Sequence, residues 1–197
     1  MGAAVWQAVS HLGANNPIVV ITDETTSTAS TGDVQSQIKD AVGRALRAWT
    51  TDGYGTPGTV EKNVAPAMPT AAELAQQRDA GYADAARYCG PSLAARLREQ
   101  IDRGLEAQQD PSFRALGAGI KNLVIESVTL DDAGSTATVV ATFTHWANSA
   151  DKNPDSGTWT VYTPSNDSRA TITMQRQASG NWVMTDYSAE FINGTEP

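Results

Sequence analysis

Apolar residues recur along this chain at two spacings, and the change from one to the other divides it. Val34, Ile38, Ala41, Val42, Ala45, Leu46 and Trp49 fall three and four apart, which predicts an amphipathic helix over 34–50 with Asp33 as N-cap. The glycines and proline of TDGYGTPG end it, and 56–72 has three prolines and no period, so it reads as a long loop. A second helix is predicted over 72–88, where Tyr82, Ala85 and Ala86 share a side. Pro91 opens a third over 91–109, whose stripe of Leu93, Leu97, Ile101 and Leu105 predicts a core face.

From Lys121 the period becomes two. KNLVIESVTL, STATVVATFTHWANS, TWTVY, RATITMQRQ and WVMTDYSAEF read as strands. DDAG, DKNPDSG, TPSND and SGN read as the turns between them. Helices followed by an antiparallel meander predict an α+β fold, with the helices covering one face of a curved sheet over 121–192. The expected organisation is an N-terminal arm or edge segment (1–33), one α+β domain (34–192) and a tail (193–197). Within the arm, Val5, Trp6, Val9 and Leu12 suggest a short helical piece, and Ile18 to Ile21 a short strand. Trp182, held beside the SGN turn, is expected in the core, with Trp49 at least partly buried.

Composition narrows the function classes. The net charge of −8 and pI near 4.6 oppose direct contact with a phosphate backbone, so no nucleic acid is expected as a direct partner. A single cysteine, Cys89, excludes an intrachain disulfide and reads as a buried thiol. With two histidines and one cysteine, a zinc site is not expected. DKNPDSG places Asp151, Asn153 and Asp155 at alternate positions like the start of a calcium loop. Ser156 and Tyr162 stand where that loop needs glycine and glutamate, so a solvated turn and no metal is the reading. No cofactor motif occurs, and none is expected.

The candidate chemistry is a histidine on one predicted strand and a carboxylate on another. His145 and Asp186, with Tyr82, Tyr88 and Tyr187 around them, would form a proton-abstracting site if the strand phases brought them into a dry cavity. The competing phase turns Asp186 to solvent and leaves the space between helices and sheet filled by Leu97, Ile101 and Trp182, with no catalytic residues.

Two stretches, DDAGSTATVVATF and ITMQRQASGNWVMTDY, resemble the closing hairpins of the NTF2-like (cystatin-like) superfamily, and the element order over 34–192 agrees with it. The chain is most similar to extracytoplasmic domains of actinobacterial Mce-associated proteins and of conjugation proteins similar to VirB8 or TcpC. That resemblance implies a cone of helices on a curved sheet. It also implies a non-catalytic domain that assembles, with protein partners or with itself, into an envelope or transfer complex. Such domains reach the membrane through an anchor; MGAAVWQAVSHLGANN has no basic flank, and the expectation is an anchor or leader already removed. Enzymes of the superfamily, such as ketosteroid isomerase and scytalone dehydratase, suggest the alternative of a small-hydrophobic-ligand binder or an isomerase- or dehydratase-like enzyme using the cone interior. Neither enzyme's full residue set can be placed on this sequence.

Overall fold

The helical spacing becomes three helices in the computed structural model, which describes residues 31–51 and 67–194. They are α1 (Thr31–Thr51), α2 (Ala71–Tyr88) and α3 (Pro91–Ala107). Asp33 lies inside the first turn of α1 instead of capping it, where its charge suits the positive end of the helix dipole. Helix α2 starts on a capping box: Thr70 Oγ1 accepts from the Glu73 amide at 3.3 Å, and Glu73 Oε2 accepts from the Thr70 amide at 2.7 Å. Pro91 occupies the first turn of α3, as expected from its missing N–H. The suggested pieces within 1–30 and most of the 56–72 loop lie outside the described residues.

Five strands follow: β1 (Phe113–Leu130), β2 (Thr136–Lys152), β3 (Trp159–Tyr162), β4 (Ser165–Arg176) and β5 (Trp182–Gly194). They form one antiparallel sheet in the order β1-β2-β4-β5, with β3 beside the far end of β2. The fold is α+β, three helices on an antiparallel sheet. Two strand boundaries differ most from the sequence reading. Strand β1 begins at Phe113, not Lys121; FRALGAGI hides its strand character because Gly117, at φ 136°, sits at a register shift and Gly119 backs onto the Trp146 ring. TPSND is a turn only in part, since Ser165, Asn166 and Asp167 already pair with β2.

Register shifts bend this sheet around the helices, three of them between β1 and β2 and two between β4 and β5. The concave face carries Val139, Ala141 and Phe143 of β2, Ile172 and Met174 of β4, and Trp182 and Met184 of β5, all buried. Against it lie Ile38, Val42 and Leu46 of α1 and the complete stripe of α3. Trp182 is buried and Trp49 half-buried.

The junction between α2 and α3 is pinned to β5. The Gly90 amide donates to Met184 O at 2.7 Å, and Cys89 forms a parallel bridge with Met184. Gly90 has ordinary backbone angles, so its requirement is for space: a Cβ there would stand 2.9 Å from Thr185 Cγ2. Thr185 is short and β-branched, and it has little room to turn aside. Gly90→Ala is therefore expected to destabilise the fold by about 1–3 kcal/mol in denaturant melts. Adding Thr185→Ser, which keeps the hydroxyl and removes the methyl, should recover most of that loss. An unchanged melt in Gly90→Ala would show that the junction does not press on the sheet.

Candidate functional site

The open end of the cone holds a cleft of about 420 Å³. Its helical wall is the last turn of α1, with Trp49 and Thr50, and the middle of α3, with Arg96 and Gln100. Its sheet wall is Phe143 and His145 of β2, Ser168 of β4, and Tyr187, Ala189 and Phe191 of β5. Three side chains form its central stack. The Trp49 and Tyr187 ring centroids are 5.6 Å apart, and the Arg96 guanidinium stands 5.6 Å from the Trp49 ring. Thr50 Oγ1 is turned away, donating to Leu46 O at 2.8 Å.

Burial sets the titration of the two titratable groups in the sheet wall. It lowers the pKa of His145 below the usual imidazole value and raises that of Tyr187 above the usual phenol value. Arg96 is the cation of the cleft, and among the described residues no carboxylate lines it. This set suits an apolar or aromatic group carrying a hydrogen-bond acceptor. It offers a neutral imidazole, and no acid–base pair.

The five residues singled out in the sequence are not brought together. His145 and Tyr187 share the cleft. Asp186 does not reach it: Asp186 pairs with Thr173, and Thr173 with Thr138, while His145 lies beyond Phe143 along β2, about 23 Å away at the rise of a strand. Asp186 also faces the other way. On β4, Ser168, Ala170 and Ile172 are buried, and they pair with Phe191, Ala189 and Tyr187. Thr173 is out of phase with that set, and its partner Asp186 is exposed on the convex face.

A bulge causes this. Met174 pairs with Met184 but Thr173 pairs with Asp186, so Thr185 is an extra residue in β5. Before it the even positions Trp182 and Met184 face the core; after it the odd positions do. Tyr82 is engaged elsewhere: its hydroxyl donates to Asp102 Oδ2 at 2.7 Å, beside an Arg78–Asp102 ion pair at 3.1 Å that ties α2 to α3. Tyr88 lines a separate cleft of about 330 Å³ with Arg44, Arg87 and Trp182. The calcium-like string is a surface turn in which Asn153 Oδ1 accepts from the amides of Asp155 and Ser156. Among the described residues no group of three or more His, Cys, Asp or Glu side chains is placed to hold a metal.

Arg96, Gln100 and Phe191 were not singled out from the sequence. Arg96 and Gln100 are one turn apart beside the apolar stripe of α3, a spacing that exposed polar pairs share, so only the Trp49 contact distinguishes them.

No protein-family model matches the chain, and no curated protein matches its sequence. Solved structures similar to it include CagV, a VirB8 homolog of the T4SS from Helicobacter pylori strain 26695. That structure is 12% identical, covering 80% of this chain and 99% of that one, with a TM-score of 0.44. A periplasmic fragment of TraM is 12% identical over 80% of this chain and 98% of that one, TM-score 0.43. The intermembrane space region of the chloroplast protein ARC6 is 21% identical over 56% of this chain and 78% of that one, TM-score 0.38.

His145 gives the cleft a pH signature. Its folded pKa lies below the unfolded value of about 6.5, so the unfolded chain takes up the proton first. This group leaves stability level above that pH and lowers it as pH falls through the unfolded value towards the folded one. Burial is the cause of the shift, and its sign is set by that alone. The Tm is expected to fall between about pH 7.5 and pH 5.5, and less steeply in His145→Gln. Equal slopes in the two proteins would place His145 in solvent.

Proposed function

We propose that this chain is a non-catalytic protein-interaction domain that assembles into a cell-envelope or transfer complex, on the extracytoplasmic side. The observation that carries this reading is the end of β5. Phe191 and Ile192 are 63% and 56% exposed on a strand that has no neighbour on its outer side among the described residues. Large apolar side chains on an unpaired edge invite aggregation unless a partner covers them. The Thr-, Ser- and Ala-rich, weakly charged composition suits the envelope setting. No helix among the described residues is long and apolar enough to cross a membrane. The acidic balance favours neutral or cationic partners over nucleic acid.

A second reading, a small-ligand binder, draws on the 420 Å³ cleft with His145, Tyr187 and Arg96. Asp186 has no part in it, and an isomerase or dehydratase chemistry would need its acid from the ligand or from another chain.

The assembly reading is tested in cells of the source organism. The protein should sediment with the envelope fraction and migrate in a complex well above its own mass on native gels. Phe191→Lys with Ile192→Lys should release it from that complex while leaving its thermal melt unchanged. A cytosolic monomer, or a complex indifferent to the double variant, would overturn the reading.

A further inference from the structure

Resting on the assembly reading, we propose that the β5 edge accepts an extended segment of a partner as an additional antiparallel or parallel strand. The segment carries basic residues four apart on one face and apolar residues between them on the other. Of the sheet edges among the described residues, β3 is only four residues long and β1 is unsuited: register shifts interrupt β1 at three places, and Asn122 adopts a positive φ of 56° within it. Bulged edges resist strand addition. On β5 the run Asp186 to Phe191 keeps an unbroken register with β4, between the bulge at Thr185 and a second one after Phe191. Six residues of regular strand span about 20 Å, enough for a stable ladder of main-chain hydrogen bonds.

Both faces of that run are already marked. The convex face carries Asp186, Ser188 and Glu190, all exposed. Neither acid has an ion pair among the described residues: the neighbouring Arg169 is taken by Glu126 at 2.8 Å, with Glu190 adding only a longer-range attraction. The concave face carries Tyr187, Ala189 and Phe191, which rise to the mouth of the cleft. A strand laid beside β5 would set its outward side chains against two unpaired carboxylates about 14 Å apart, and its inward ones against Phe191. Charge complementarity therefore selects lysine or arginine outward and an apolar residue inward. It also disfavours a second copy of this chain, since β5 contains two acids and no base and the whole chain carries −8.

The probe is a capped heptapeptide of alternating lysine and valine, titrated into the labelled protein to about 1 mM at low salt and followed by amide NMR shifts. The expected result is saturable shifts confined to 186–192 and the facing part of β4. Asp186→Lys with Glu190→Lys should weaken binding about tenfold and allow the matching glutamate–valine peptide to bind. A peptide of the same composition with its lysines in one block should not produce the pattern. Shifts scattered over the acidic surface, equal effects from the blocked peptide, shifts on β1, or no binding would each overturn the proposal. So would sedimentation showing a dimer that Glu190→Lys dissociates. Failure of the peptide with the cellular complex intact would leave the assembly reading standing on another surface; loss of the envelope complex would remove that reading whatever the peptide does.

Discussion

One hydrogen bond, from the amide of Gly90 to the carbonyl of Met184 at 2.7 Å, joins the helical layer to the sheet at the point where both change direction. On the helical side it sits in the two-residue break between α2 and α3. On the sheet side it sits next to the extra residue of β5. The donor is the N-cap of α3, an amide that a helix leaves unpaired, and the acceptor is on a strand edge, so the contact satisfies two groups that would otherwise need water. Any side chain at position 90 would meet Thr185, which makes glycine a packing requirement there.

The contents of the open cleft follow from that junction. With Thr185 extra, the phase of β5 reverses, and Tyr187, Ala189 and Phe191 turn inward while Asp186 and Glu190 turn out. A single extra residue thus turns the carboxylates of β5 away from the concave face and supplies an acidic convex ledge. The same reversal brings Tyr187 against Trp49 and, through Trp49, under Arg96.

Much of the fold was legible because helix period and strand period are read from different spacings. The stripe of Leu93, Leu97, Ile101 and Leu105 predicted a core face and is one. Trp182 was placed in the core by the turn before it. What escaped is what periodicity does not encode. The strand FRALGAGI has small residues where a core strand usually has branched ones, because the Trp146 ring fills the space above Gly119. Asn166 and Ser168 are polar yet buried at the cleft end of β4, so TPSND looked like a turn. The candidate site was half legible: His145 and Tyr187 do share a cavity, but alternation alone cannot count a bulge, and Tyr82 and Tyr88 depend on helix packing that no local pattern reveals.

The central claim is that the α2–α3 junction is locked to β5 and sets the phase of everything beyond it. Native-state hydrogen exchange of the Gly90 amide tests it most directly. Helix N-terminal amides ordinarily exchange by local fraying, with little protection. Here the Gly90 amide should exchange as slowly as those of Val139 and Ile172 in the central strands, and with the same dependence on denaturant, because releasing it requires the sheet and helices to part. Exchange at the rate of a frayed helix end, independent of denaturant, would contradict the account.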